Sequence, residues 1–199
     1  MNKQKQKKDV NNSNFAHIFK DGKDPKLFHK NQMSSIKFAV ITDTHLGYEE
    51  NDSIIQDDSF EAFDEALDIA ERENVDFILH AGDMFNSACP SPSSIVRTNK
   101  IILKHSFTIP NDETQTNPYR CTNSDGEVNL KYPIFVINGN HDQPSGANMT
   151  SPCEILSSCG LIYYFEKFIG DTKFILKPVL IERGDITVAI YGLTYINSE

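Results

Sequence analysis

Three short polar clusters contain the residue types that could bind a metal ion or act on a phosphate group. They are Asp43-Thr44-His45, Gly82-Asp83 and Gly139-Asn140-His141-Asp142. Each follows an apolar run with the composition of a buried strand, and these runs are Lys37–Ile41, Phe77–Ala81 and Ile134–Ile137. Because such runs end in Gly and Asp, we expect the strands to stop at one edge of a sheet, where open α/β sheets bind their ligands. The sequence therefore predicts that carboxylates, an imidazole and an amide converge at that edge.

The individual side chains suit particular places in a two-metal site. Asp43 and His45 are two residues apart, so they would face the same side of a strand end and could bind one ion together. Asp83 could bridge two ions about 3.5–4 Å apart, the spacing of two-metal hydrolases. Asn140 would give a neutral oxygen to the second ion, and its neighbour His141 could act as a general acid. Oxygen and nitrogen ligands without thiolate favour Mn²⁺, Mg²⁺, Fe²⁺ or Zn²⁺.

Each cluster alone is weak support for a site. Asp-x-His is common by chance, and Gly-Asp is a routine turn. A strand-ending turn with a capping Asn would also explain Gly-Asn-His-Asp. The argument for a site is that all three clusters occur in this order, each after a strand of buried composition.

The elements between the clusters alternate in type. The first helix should begin at Asp58, with Asp58 and Glu61 forming a cap. One face of this helix is apolar and predicts core packing; its residues are Phe60, Phe63, Leu67 and Ala70. A second helix is predicted between about residues 92 and 105, and a third over Pro152–Cys159.

Further strand-like runs follow the third cluster, at Leu161–Phe165, Val179–Glu182 and Thr187–Leu193. The order β-α-β-α-β followed by more strands predicts an α/β fold, a layered sandwich with a sheet flanked by helices. A turn-rich segment at 106–131 interrupts this order and predicts an insertion, because connections this long are usually functional or disordered.

Length and charge divide the chain unevenly. The 199 residues fit one domain with a tail, and the division we predict is a leader at 1–34 and a domain at 35–199. The leader is basic and polar, and we expect it to be disordered because it has little apolar surface to offset ordering entropy. Residues 1–30 carry a net charge of +5, so the other 169 carry −14. That acidity argues mildly against a broad phosphate-binding surface, although bound metal ions would change the local sign.

Cysteine spacing and hydropathy restrict the setting. Cys89, Cys121, Cys153 and Cys159 have no CxxC spacing, so we expect reduced thiols and an intracellular protein. No stretch approaches the roughly 20 apolar residues of a membrane helix. The polar amino terminus does not have the pattern of a secretory signal. We therefore expect no membrane among the partners.

Taken together, the three clusters resemble the first three motifs of the calcineurin-like metallophosphoesterases. Longer matches resemble one branch of that family, the eukaryotic DNA double-strand-break repair nucleases of the meiotic-recombination-eleven type, which are related to bacterial SbcD. The segments with this resemblance are 43–48, 78–85 and 139–146, with shorter ones at 154–156, 160–161, 178–180 and 191–193. The resemblance extends from about Ile36 to the end of the chain.

The resemblance implies a nuclear, Mn²⁺-dependent enzyme that uses two divalent ions to cleave DNA phosphodiesters in double-strand-break repair. It also implies a homodimer bound to a coiled-coil ABC-type ATPase and a third regulatory subunit. Carried over to this sequence, Asp43 and His45 would bind the first ion, Asp83 would bridge both ions, and Asn140 would bind the second. His141 would protonate the leaving oxygen or orient the scissile phosphate.

Two departures from the family pattern affect these expectations. Asn86 stands where relatives commonly have His, which affects a minor supporting contact. The family site also has three later histidines, two of them in a Gly-His-x-His element, whereas the last histidine here is His141. The sequence therefore predicts a phosphoesterase domain that is incomplete at its C-terminus (a fragment, a split gene or a pseudoenzyme) and nearly inactive by itself.

Two other classes of function compete with the nuclease. A protein Ser/Thr phosphatase shares the metal chemistry, but it should have Asp-Arg-Gly after the middle cluster, where its Arg grips phosphate with two hydrogen bonds. Here Met84-Phe85-Asn86-Ser87 stands instead. A non-catalytic interaction module is favoured by the absence of the later histidines, with the segment at 106–131 as its partner-binding loop.

Overall fold

The computed structural model describes residues 35–106, 132–165 and 176–196. The strands are β1 Phe38–Ile41, β2 Phe77–His80, β3 Ile134–Val136, β4 Tyr163–Tyr164, β5 Val179–Arg183 and β6 Ile186–Ile190. The helices are α1 Asp58–Arg72, α2 Pro92–Ser106 and α3 Pro152–Ser158. The leader predicted at 1–34 and nearly all of the insertion predicted at 106–131 lie outside the described residues. None of the described helices combines the length and the apolar content that a bilayer span requires.

Strands β1 to β4 form one parallel sheet in the order β1-β2-β3-β4, and β5 and β6 form an antiparallel pair. The ends of the first three strands are in register, because Ile41 is paired with His80 and His80 with Val136. The chain segments that follow these strands therefore leave the sheet at one edge. The predicted α/β fold, with a sheet flanked by helices, is confirmed.

The parallel sheet lies between two apolar clusters because side chains alternate from face to face along each strand. Ile78 and Ile134 pack with the buried residues of the helices. Their neighbours Phe77 and Phe135 pack in a second cluster that contains Val179 of β5. The layers are therefore helices, parallel sheet and antiparallel pair.

The apolar face predicted for α1 is confirmed, since Phe60, Phe63, Leu67 and Ala70 are all buried. The predicted cap is wrong. Asp57, not Asp58, is the residue before the helix, and its side chain makes no capping hydrogen bond. Main-chain hydrogen bonds pair the first N–H groups of the helix instead. Asp58 N–H donates to the carbonyl of Ile55, and the N–H groups of Phe60 and Glu61 donate to the carbonyl of Asp57. The Asp57 carboxylate instead pairs with Arg97 at 2.6 Å.

Two predicted strands are shorter in the structure. β4 contains only Tyr163 and Tyr164, because it pairs on one side with just two residues of β3. β6 ends at Ile190, where its pairing with Val179 of β5 ends. The residues that follow leave the hairpin, and Tyr195 N–H donates to the carbonyl of Asn138 at 3.0 Å. The early end of β6 thus brings the 193–196 segment to the edge where β3 ends.

Leu67→Ala tests the helix layer against a matched substitution on the same helix. Leu67 is fully buried, whereas Ile69 is 44% exposed. Removing a buried leucine leaves a cavity, so Leu67→Ala should lower the free energy of unfolding by about 2–5 kcal/mol. Ile69→Ala should change it by only about 0.5 kcal/mol, as exposed substitutions do. Urea unfolding followed by circular dichroism measures both, and equal losses would contradict this account of α1.

Candidate metal centre

The segments after β1 and β2 continue side by side beyond the sheet. Asp43 N–H donates to the Gly82 carbonyl at 3.1 Å, and His45 N–H donates to the Asp83 carbonyl at 3.0 Å. Leu46 N–H then donates to the carbonyl of Met84 at 2.8 Å. These bonds satisfy backbone groups that would otherwise end unpaired at the sheet edge. They also bring the first and second polar clusters into contact.

Three of the predicted ligands have left-handed backbone conformations. The φ angles are 54° at Asp43, 43° at His45 and 51° at Asp83. Positive φ is uncommon in residues other than glycine, and Asp and His are among the types that tolerate it best. Each such residue costs on the order of 1–3 kcal/mol, and residues of this kind gather at functional sites. Their coincidence at one sheet edge supports the prediction of a site there.

Two glycines allow the third cluster to approach the second. A Cβ atom on Gly82 would lie 3.0 Å from the backbone nitrogen of Gly139, and a Cβ on Gly139 would overlap the Asp83 carboxylate. With both side chains absent, the segment after β3 packs directly on Asp83. His141 N–H donates to Asp83 Oδ1 at 2.8 Å as a result.

Asp43, His45 and Asp83 form the centre of the site. Their potential ligand atoms all lie within 4.8 Å of one another. His45 Nε2 is 3.9 Å from Asp43 Oδ1. Asn140 lines the same cleft as Asp43 and Asp83. Asp83 is buried, while the Asp43 side chain is 61% exposed, so the cleft opens to solvent on the Asp43 side.

The donor set fits a divalent cation. Two carboxylates give it negative charge, and an imidazole adds a nitrogen donor, which together suit a hard or borderline metal. The buried Nδ1 of His45 has no hydrogen-bond partner within the described part of the chain. No protein group there fixes the tautomer of the ring through Nδ1. Nε2, which lies 3.9 Å from Asp43 Oδ1, can therefore present its lone pair to an ion.

His141 lies beside this centre and is held by the backbone. Its Nδ1 is 3.2 Å from the carbonyl oxygen of Asn86, to which an Nδ1–H can donate. The ring meets His45 edge to face, with centroids 4.7 Å apart. The contact to position 86 uses a main-chain carbonyl, so the replacement of His by Asn there leaves this support of His141 in place.

His80, the last residue of β2, supports the first polar cluster through a hydrogen bond with Thr44. It is buried, and burial lowers its pKa to about 4, so the ring is neutral. Its Nε2 is 3.1 Å from Thr44 Oγ1, and the Thr44 hydroxyl donates to the carbonyl of Met84. The middle residue of the first cluster therefore fixes that cluster to the strand and loop below it. The sequence pattern gave no signal for this link between His80 and Thr44.

Asp142 is the principal residue that sequence reasoning missed. It is fully buried, and its Oδ1 accepts from Gly139 N–H at 2.8 Å. Its Oδ2 accepts from Met84 N–H at 2.8 Å and from Phe85 N–H at 3.3 Å. Burial raises the pKa of this carboxyl. The available signal was the Gly-Asn-His-Asp spacing, because an Asp three residues after a turn glycine commonly accepts from the turn backbone.

Residues 36–198 match the calcineurin-like phosphoesterase family. The chain therefore belongs to the calcineurin-like phosphoesterases, as its three polar clusters predicted. This family is one of metal-dependent enzymes, and the Asp43, His45 and Asp83 cluster is a candidate for the metal position.

Several relatives within this family share one printed description, double-strand break repair protein MRE11. The Arabidopsis thaliana protein is 38% identical over 179 residues, which cover 83% of this chain and 25% of the relative. The Encephalitozoon cuniculi protein is 40% identical over 162 residues, covering 81% and 28%. The Homo sapiens protein is 33% identical over 177 residues, covering 83% and 25%. The chain thus spans about a quarter of the length of these relatives.

Asp142→Asn tests whether this buried carboxylate holds the second and third clusters together. The new amide nitrogen cannot accept, so at least one backbone N–H loses its acceptor, and the free energy of unfolding should fall by about 1–3 kcal/mol. Asp185→Asn is the control, because Asp185 is exposed in the turn between β5 and β6. Thermal and urea unfolding measure both changes. An unchanged stability in Asp142→Asn would show that the loops are held by other contacts.

Proposed function

We propose that this chain carries the metal-binding half of a nuclease site that hydrolyses DNA phosphodiester bonds in double-strand-break repair. The observation that supports the proposal is the Asp43, His45 and Asp83 cluster, whose ligand atoms lie within 4.8 Å of one another in a calcineurin-like phosphoesterase. The choice of DNA rests on the relatives, whose names describe double-strand break repair.

The ions we propose are two Mn²⁺. Asp43 and His45 would hold the first, Asp83 would bridge both, and Asn140 would contribute to the second. Such a pair supplies Lewis-acid activation and neutralises charge on the attacking and leaving oxygens. The carboxylate and imidazole ligands favour a hard or borderline ion of this kind over a soft one.

The remaining contribution comes from neighbouring groups of the chain. With Nδ1 directed at the Asn86 carbonyl, Nε2 of His141 is available to a phosphate oxygen or to the leaving group. Thr44 and Asp142 keep the three clusters together through hydrogen bonds to the backbone. Met84 and Phe85, which follow Asp83, are fully buried and offer no phosphate-binding group of the kind expected in a Ser/Thr phosphatase.

The partners we propose are those that the family implies. They are DNA, a second copy of the chain, a coiled-coil ABC-type ATPase and a third regulatory subunit. Double-strand-break repair of chromosomes would place the protein in the nucleus. We propose no membrane partner. The chain spans about a quarter of the length of its relatives, so each of these partners is tested by measuring its binding to this chain directly.

Substitutions at His141 and Asp83 should distinguish an effect on catalysis from an effect on metal binding. His141→Asn should reduce DNA cleavage by about 10²–10⁴-fold, the usual contribution of a general acid. It should leave Mn²⁺ affinity nearly unchanged, because His141 lies outside the cluster of ligands. Asp83→Asn is the matched comparison and should reduce both. Calorimetry on residues 1–199 measures binding, and cleavage is measured in the longest protein that the coding sequence specifies. Loss of Mn²⁺ binding in His141→Asn would make His141 a ligand.

The 199-residue chain alone should cleave DNA very slowly. Among the described residues, the second ion would have only the shared Asp83 carboxylate and the neutral Asn140 amide, which make a weak site. This weakness favours a second candidate function, a non-catalytic interaction module. A Mn²⁺ titration combined with cleavage of linear DNA distinguishes the two. Rapid Mn²⁺-dependent cleavage that disappears in Asp83→Ala would show that other residues complete the second position.

A further inference from the structure

A second cluster of carboxylates and an imidazole lies between α1 and α2. Asp68 and Glu71 are three residues apart in the last two turns of α1, and His105 is in the last turn of α2. One potential ligand atom from each lies within 4.8 Å of the other two. The end of α1 leads within five residues to the beginning of β2, whereas Asp83 follows the other end of that strand, so the two clusters lie towards opposite ends of β2.

His105 is oriented inside this cluster as a metal ligand would be. Its side chain is almost completely buried, and Nε2 is 2.6 Å from Asp64 Oδ1. In the tautomer that donates its ring proton from Nε2 to Asp64, the lone pair of Nδ1 faces the other two carboxylates, and in the other tautomer Nδ1–H donates to Glu71 Oε2. Nδ1 is 3.4 Å from Glu71 Oε2 and 3.6 Å from Asp68 Oδ1. A carboxylate that holds the outer nitrogen is the usual support of a metal-binding histidine.

The spacing suits a tetrahedral ion. Bonds of about 2.0–2.2 Å from Zn²⁺ to nitrogen and oxygen place neighbouring tetrahedral ligands about 3.3–3.5 Å apart. The two distances from Nδ1 are close to that range. The Asp68 and Glu71 side chains are 52% and 38% exposed, so an ion can enter from solvent and keep a water ligand.

Charge also favours a cation at this position. The carboxyl end of a helix carries partial negative charge, so Asp68 and Glu71 stand where acidic residues are unfavourable and a cation is stabilising. Lys104 contacts both carboxylate oxygens of Asp64, at 2.8 and 2.9 Å. Lys104 therefore offsets mainly the charge of Asp64, the residue that positions His105, and acts on Asp68 and Glu71 only through weaker, longer-range attraction.

We propose that Asp68, Glu71 and His105 bind one divalent transition-metal ion of the Zn²⁺ type, with Asp64 as a positioning residue. The ion joins the ends of α1 and α2 and has a structural role. The site is separate from the Asp83 cleft, and the inference does not depend on the proposed nuclease function. The competing arrangement contains no ion, and the ring nitrogens of His105 are then held by hydrogen bonds to Asp64 and Glu71 alone.

The test is Zn²⁺ and Co²⁺ binding by the full chain carrying Asp83→Asn, which weakens the cleft as a competing site. Calorimetry with Zn²⁺ should give one ion per chain, and Co²⁺ should give the visible absorption of a tetrahedral complex. Adding Asp68→Asn and Glu71→Gln should remove the Co²⁺ spectrum and lower Zn²⁺ affinity at least 10-fold. Adding Asp64→Asn should lower affinity about 10–100-fold, as the loss of a carboxylate behind a ligating histidine does.

The matched control adds Glu61→Gln and Glu65→Gln, which remove the same charge from exposed positions of the same helix. This control should keep the Zn²⁺ affinity and the Co²⁺ absorption spectrum, and its melting temperature should still rise when Zn²⁺ is added. All five substituted side chains outside the cleft are at least partly exposed, so these variants should fold. The proposal is overturned if the Asp83→Asn chain binds no Zn²⁺, or if the Asp68 and Glu71 variant binds as tightly as the control. Either result would leave His105 only as a hydrogen-bonding partner of the surrounding carboxylates.

Discussion

The buried carboxylate of Asp142 is the interaction on which the arrangement of the cleft depends. It accepts hydrogen bonds from Gly139 in its own loop and from Met84 and Phe85 in the loop after β2. A buried carboxylate without partners is very unfavourable, so these three N–H groups, together with the Cys153 thiol 3.5 Å from Oδ2, are what allow it to lie there. In return, it holds two loops from neighbouring strands at a fixed separation. Without this link, the contact between His141 and Asp83 would depend on two independent turns.

The hydrogen bonds of Asp142 can hold the loops together because the parallel sheet makes the loops begin side by side. Ile41, His80 and Val136 are in register, so the three loops begin at the same level before any side chain of the site is reached. Strained positive φ angles at Asp43 and Asp83 then persist because hydrogen bonds between the loops over-determine the backbone. The ligands are thus held by the sheet and by backbone contacts more than by one another. This is the kind of pre-organisation that a metal site needs.

The parts predictable from sequence were those that follow from repeating patterns. The helical spacing of Phe60, Phe63, Leu67 and Ala70 identified the buried face of α1, and strand composition located the edge where the clusters meet. The sequence could not show that a backbone turn replaces the Asp58 cap, because main-chain hydrogen bonds have no residue signature. It also could not reveal the role of Asp142, whose partners in the loop after β2 are more than fifty residues away. Such long-range contacts appear only when the fold brings the two loops together.

Charge connects the metal cluster to the proposed substrate. Residues 31–199 carry a net charge of −14, and two of their carboxylates, Asp43 and Asp83, line the cleft where a phosphodiester would have to bind. A polyanion gains affinity mainly from cationic groups, and the residues that line the cleft from the third loop, Asn138, Gly139 and Asn140, are neutral. Cations bound at Asp43 and Asp83 would reverse the local sign. Metal and DNA binding should therefore be thermodynamically coupled, so that each increases the affinity of the chain for the other.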